Sequence, residues 1–254
     1  MADRAFSTLV SRLQPSVPGC PHATIIQYIR NSAVKVCERT LAWRYAEAPY
    51  ALTPGVHEYG YRKPANADVH AVFAAMVNGE HLERLTLEDA LGIYPQWADL
   101  YGGIPYDQLW VGSGSFNEEA LNEQTFNGGP QFVLPPEALE QASDPRIITQ
   151  LTPDQFIILP VPDDTKPYLL RLIYALKPKR TASGLPSAIF DELEDSIMHG
   201  ALQELLVLPG TPWSDRELAT YHAKQYLFYV TERRARANLG NMRGSMTVKM
   251  QPFA

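Results

Sequence analysis

The sequence predicts an α+β fold: a helical bundle made of a long N-terminal helix and a C-terminal helical hairpin, an interleaved small antiparallel β-sheet, and an extended C-terminal arm. Three observations predict it. Apolar residues recur at three- and four-residue steps in 23–44 and again in 187–230, they alternate in much of 56–85 and 146–176, and no helical period survives past Asn238. Helices near both ends of the chain with strands between them imply one interleaved unit over 1–238. Its bundle would comprise 1–49 and 185–238, and its β region 50–184 with a long loop at 112–145. The arm is then 239–254.

In chain order, Phe6, Leu9, Val10 and Leu13 have the spacing of a short amphipathic helix, which the prolines and glycine of 14–21 interrupt. From Ala23 to about Arg44 a long helix carries Ile25, Ile26, Ile29, Ala33, Val36, Cys37 and Leu41 as its buried stripe. Cys20 precedes that helix and Cys37 lies well inside it, so at about 1.5 Å rise per residue they sit beyond disulfide reach. Both are expected to be reduced, with Cys37 a core residue. Val56 to Arg62 reads as a strand. Val69 to Val77, Asn78-Gly79 and Glu80 to Leu85 read as a hairpin, because Asn-Gly readily takes the positive φ angles of a type I′ turn. Thr86, with Asp89 three residues on, opens a short helix that ends near Pro95. Gly112 to Asp144 is rich in glycine, proline and asparagine and has no lysine or arginine. It is either a solvated loop or a segment that orders against a partner. Arg146 to Leu151 is an expected edge strand. Phe156 to Pro160 and Tyr168 to Leu176 are expected to pair around the polar turn 161–167 and to join the hairpin in one sheet.

The stretch from Leu185 to Asn238 reads as the helical hairpin. Ile189, Phe190, Leu193, Ile197, Ala201, Leu205 and Leu208 share one face of its first helix, with Gly200 among them. A glycine inside a helix costs roughly 1 kcal/mol relative to alanine, so it is either tolerated or marks a close approach of another backbone. Pro209-Gly210-Thr211-Pro212 ends that helix. Ser214 and Glu217 have capping-box spacing at the start of the second, flanked by Trp213 and Leu218 as a hydrophobic staple. Ala219, Ala223, Tyr226, Leu227 and Val230 form its stripe, and its small members would bring it near Gly200 and Ala201. Gly200, Ala201, Trp213, Ser214, Glu217 and Leu218 are therefore the expected seam.

With 254 residues, 45% of them hydrophobic, the chain can bury a substantial core. The 28 acidic and 22 basic side chains leave a net charge of -6, which disfavours a strong grip on a phosphate backbone. No run reaches the roughly 18 to 20 apolar residues that span a bilayer, and Met1-Ala2-Asp3-Arg4 lacks the apolar core of a signal peptide. The expectation is synthesis in a cytosol with no membrane partner. Residues 112–117 lack the last glycine of a dinucleotide fingerprint, and neither a phosphate loop nor a nucleophile elbow is present. His22, His57, His70, His81, His199 and His222 are scattered without an acidic or cysteine companion at ligand spacing. No catalytic residue, cofactor or metal is expected. Asp191, Glu192, Glu194 and Asp195 crowd the early turns of one helix, where the helix dipole favours them or where copies would line a channel that DNA passes without sticking. Arg233, Arg234 and Arg236 close the last helix, suited to its negative end or to acidic groups on a neighbouring chain. Beyond it Met246, Val248 and Met250 alternate as in an added strand and Phe253 offers an anchor, unless that end is frayed.

Several of these pieces in this order, Val17-Pro18-Gly19-Cys20-Pro21, Cys37-Glu38-Arg39-Thr40-Leu41-Ala42-Trp43-Arg44, Gly55-Val56-His57-Glu58-Tyr59, Gly200-Ala201-Leu202-Gln203-Glu204-Leu205-Leu206 and Pro212-Trp213-Ser214-Asp215 with Ala219 and Tyr221, give the chain its resemblance. From about residue 6 to 237 it resembles the head-to-tail adaptor, or connector, proteins of tailed bacteriophages, including tail tubular protein A of short-tailed phages. The resemblance implies a structural virion protein in the neck, not an enzyme. Twelve copies would form a homo-dodecameric ring between the portal protein and a tail tube, nozzle or stopper protein, assembled in the host bacterial cytoplasm. DNA would pass its bore without sequence-specific binding. It also implies that the arm inserts into the portal, with Arg243, Met246, Val248, Met250 and Phe253 as contacts. Arg233, Arg234, Arg236, Glu118 and Glu119 are candidates for ring or tail contacts. The segment 112–144 is longer than the family's pattern, which leaves its role open. The alternatives are a soluble phage assembly or regulatory binding protein, or a hydrolase using an unrecognised carboxylate pair.

Overall fold

The structure, a computed structural model, describes residues 3–94 and 142–238. Its helices form where the apolar spacing asks for them. After strand β1 (Asp3–Ala5), a short helical stretch contains α1 (Val10–Leu13) between tight turns at Phe6–Leu9 and Gln14–Ser16, and buries Phe6, Leu9, Val10 and Leu13 together. Helix α2 (His22–Thr40) buries Ile25, Ile29, Ala33, Val36 and Cys37. It does not run on to Arg44 as its sequence predicts. Leu41 adopts a left-handed conformation (φ 54°) and returns its N–H to the Cys37 carbonyl at 3.0 Å, and the chain enters β2 (Arg44–Ala46).

The other strands are β3 (Tyr50–Ala51), β4 (Glu58–Gly60), β5 (Ala67–Val77), β6 (Glu80–His81), β7 (Glu83–Arg84), β8 (Ile147–Gln150), β9 (Gln155–Leu159), β10 (Leu169–Pro178) and β11 (Gly184–Pro186). Helix α3 (Leu87–Ile93) follows β7, and α4 (Ser187–Leu205) and α5 (Arg216–Asn238) close the described chain. The expected helical bundle with one small antiparallel sheet is overturned. The described strands sort into three sheets: β1-β11, then β2-β10-β5-β6 with β3 also on β10, then β4-β9-β8-β7.

Local chemistry explains the sorting. In β9 the four consecutive residues Phe156, Ile157, Ile158 and Leu159 are all buried, so both faces of the strand are covered. It pairs with β4 on one side and β8 on the other, antiparallel in both cases. It therefore does not form the expected hairpin with β10, whose first half alternates exposed and buried residues in another sheet. Nor is β8 an edge strand, since β7 lies parallel to it, Glu83 opposite Ile147 and Arg84 opposite Ile148. A sequence period cannot report a parallel partner some sixty residues away.

The chain divides into two compact units. The first comprises 1–45, 63–71 and 174–254, and within its described part α2, α4 and α5 pack on one another. Phe6, Leu13, Ile25, Ile29, Phe190, Leu193, Ile197 and Leu205 are fully buried there. The second comprises 46–62 and 72–173. In it Phe156 packs against the rings of Tyr59 and Tyr61, at centroid distances of 5.8 and 4.8 Å. Ile147, Ile157, Leu159 and Val161 form a core with Ala90 of α3. Thr86 caps α3 by accepting the Asp89 N–H at 3.2 Å.

The Asn78-Gly79 turn joins β5 to β6 as its sequence predicts, with Met76 opposite His81 and Val77 opposite Glu80. The returning strand stops at His81 rather than Leu85, because Glu83 and Arg84 pair with β8 in another sheet. Both turn residues have positive φ, 51° and 93°. The Asn78 amide also donates to the Pro167 carbonyl at 3.0 Å and accepts the Leu169 N–H at 2.9 Å, which ties the turn to the start of β10. Gly79→Val should lower stability by about 1–2 kcal/mol, because a β-branched residue is forced into left-handed backbone. Urea unfolding followed by tyrosine and tryptophan fluorescence checks this. Unchanged stability would mean that the turn relaxes to another type.

Candidate interaction surface on the helical hairpin

Helix α4 presents Gly200 where two neighbours converge. A Cβ built there would lie 2.2 Å from the Ser32 Oγ of α2 and 3.0 Å from the Tyr226 ring of α5. The close approach is made by side chains rather than by a second backbone. The Ser32 hydroxyl is held in place by donating to the Ile197 carbonyl at 2.8 Å, one turn before Gly200. Ala201 is fully buried beside it.

The start of α5 differs from its sequence expectation. Asp215, not Ser214, is the cap: its carboxylate accepts the Leu218 N–H at 2.9 Å. The Ser214 hydroxyl instead donates to the Leu206 carbonyl at 3.3 Å, and the Asp215 N–H donates to the same carbonyl at 3.0 Å. Asparagine, aspartate and serine cap about equally well, so adjacent candidates are decided by where the preceding turn leaves the chain. With the cap one residue later, Glu217 no longer stands at the capping-box position and is exposed, while Trp213 and Leu218 are half-buried.

Helix α5 is apolar on two sides. Ala219, His222, Tyr226 and Val230 are buried. Leu227, expected in the same stripe, is 58% exposed, and Tyr221 and Phe228 are 52% and 61% exposed. Tyr221, Lys224 and Phe228 follow each other at three- and four-residue steps, so they share one outward face, with Leu227 and the exposed Arg234 alongside. Large apolar side chains gathered on one exposed helix face mark an interaction surface more often than scattered ones do.

The charged groups at the two helix ends are largely accounted for within the chain. Arg4 meets Asp191 and lies 3.6 Å from Glu194. Arg12 also pairs with Glu194, and Arg233 lies 3.8 Å from Glu192. Arg236 pairs with Glu232 one turn earlier, and Arg44 donates to the Ala237 carbonyl in the last turn of α5. Arg4 and Arg12 were not legible as partners because more than 180 residues separate them from the acids.

Two histidines read from sequence as unrelated meet on the seam. The Nδ1 atoms of His199 on α4 and His222 on α5 are 2.7 Å apart. The His199 ring stacks on Tyr229 with centroids 5.5 Å apart and planes at 11°, and Tyr221 meets both imidazoles edge-on. Burial lowers both histidine pKa values, with Asp195 opposing the shift at His199 and the neighbouring imidazole adding to it at His222. Of the other histidines, His22 opens α2, His70 lies in β5, His81 in β6, and His57 is buried one residue before β4.

Glu118, Glu119, Arg243, Met246, Val248, Met250 and Phe253 lie outside the described residues. Comparison of the chain with protein-family models and with curated proteins returned no match.

Two expected outcomes test the seam. Gly200→Ala should destabilise by about 1–3 kcal/mol through overpacking, although alanine is the better helix former by about 1 kcal/mol. Ser32→Ala in the same chain should recover part of the loss, a coupling read from a double-mutant cycle in urea. Asp215→Ala should cost about 1 kcal/mol and exceed the effect of Ser214→Ala. The reverse order would restore Ser214 as the cap.

Proposed function

We propose that this chain is a head-to-tail adaptor of a tailed bacteriophage, a structural virion protein that forms a dodecameric ring between the portal and the tail. The observation that carries the reading is α5. One side of it is packed against α2 and α4, the opposite side offers Tyr221, Leu227 and Phe228, and its last turns carry Arg233, Arg234 and Arg236. Such an exposed apolar face suits a surface supplied by a neighbouring chain. The segment 239–254 follows it in the sequence, and its alternating Met246, Val248 and Met250 suit strand addition to a partner's sheet.

The order of short motifs from residue 6 to 237 supports the same reading, and so does charge. A ring of identical copies with net charge -6 each repels the DNA that must slide through it. Partners on this reading are other copies of the chain, the portal protein and a tail tube, nozzle or stopper protein, with DNA a passenger. No cofactor takes part.

Imaging the neck of particles that carry this protein tests the proposal, with twelve copies between portal and tail as the expected result. Absence of the protein from assembled particles overturns it. Leu227→Glu with Phe228→Glu should change stability by no more than about 0.5 kcal/mol, because both side chains are exposed, and should abolish incorporation. Truncation after Asn238 should leave the fold intact and also abolish incorporation. Normal incorporation of either variant removes the corresponding surface from the interface.

A further inference from the structure

The contact between His199 and His222 has a property that neither histidine has alone. At 2.7 Å the two Nδ1 atoms are at hydrogen-bond distance, and an imidazole nitrogen accepts only while it is unprotonated. One Nδ1 must therefore donate and the other accept. A first proton can be taken up elsewhere on the pair while the contact persists as a charge-assisted hydrogen bond. A second proton leaves two N–H groups facing each other with no acceptor between them.

We propose that the His199–His222 couple is an acid-sensitive latch, closing the α4–α5 hairpin while the pair holds at most one proton and forcing the helices apart locally when it holds two. This inference does not rest on the adaptor reading, because it needs only the hairpin.

The surroundings decide where the latch yields. The titratable groups that meet the pair are Asp195 from α4 and Tyr221 and Tyr229 from α5. Among the described residues Asp195 is the one anion recorded against it, and its pull favours the first proton on His199. His222 is 7% exposed, so little water is at hand to solvate a charge there. Gly200, next to His199 on α4, already has Ser32 and Tyr226 at its surface, which leaves that helix little room to shift toward α2. Relief must come by separation of the α4 and α5 rings.

The sign follows from the direction of both shifts. The folded pair binds protons less readily than the unfolded chain, in which each histidine titrates near about 6.5. The contribution of the couple to stability is therefore complete above that value and is lost as pH falls through it toward the folded values. His57, buried in the other unit with its pKa also lowered, adds a dependence of the same sign that every variant at 199 or 222 retains as a baseline.

The test uses the full chain. In nuclear magnetic resonance titrations of the imidazole protons the pair should take up its protons in two steps more than about one pH unit apart. Amide exchange in α4 and α5, corrected for its intrinsic pH dependence, should accelerate across the second step while α2 is unaffected. His199→Gln with His222→Gln should flatten the fall of melting temperature between about pH 7 and pH 5 to the His57 baseline. Two independent single-step titrations in the wild-type chain would overturn the proposal whether or not that variant folds. So would an undiminished acid dependence in the double variant.

Discussion

The absence of one Cβ, at Gly200, is the constraint on which the helical unit depends. Helices α2, α4 and α5 can converge there only because Ser32 and Tyr226 occupy the space that any other residue would fill. The serine then turns its hydroxyl to the Ile197 carbonyl, so the close approach also satisfies a polar group that would otherwise be buried without a partner. From that point outward the packing is ordinary apolar burial: Ile29 and Ala33 on α2, Leu193 and Ile197 on α4, Tyr226 and Val230 on α5. The seam fixes which side of α5 faces inward, and hence which residues face outward.

That outward side gives the surface its character. A single apolar stripe can be buried against one layer of neighbours, but α5 distributes its apolar residues around its axis, and α2 and α4 pack against one side of it. Tyr221, Leu227 and Phe228 remain at the surface with Lys224 and Arg234 beside them. By contrast the acids that crowd the start of α4 are mostly spoken for. Arg4, Arg12 and Arg233 stand against Asp191, Glu194 and Glu192, so the field that α4 projects is weaker than its four closely spaced carboxylates suggest.

What could be read from the sequence was local. The short helical stretch at Phe6 to Leu13, the Asn78-Gly79 hairpin and the Thr86 cap are each specified by residues within a few positions of one another. That Gly200 marks a crowded point was legible for the same reason, but the neighbours are the Ser32 and Tyr226 side chains rather than the second backbone its sequence suggested. Three sheets in place of one were not legible, because the partners of β7, β8, β9 and β10 are chosen by tertiary burial rather than by spacing. The cap at Asp215 was missed by one residue because serine and aspartate compete on nearly equal terms. The histidine couple gave no signal at all: two positions 23 residues apart on different helices have no common period.

The order in which the first unit's segments occur along the chain bears on how it is made. Helix α2 ends at Thr40, and α4, against which it packs, does not begin until Ser187. At synthesis rates of about 5–20 residues per second, that interval leaves α2 covered only by the N-terminal helical stretch, without α4 and α5, for roughly 7–30 seconds on every ribosome. A cell producing this protein in quantity therefore holds a standing population of half-made chains with sticky helices. Their protection during translation falls to chaperones or to transient non-native contacts.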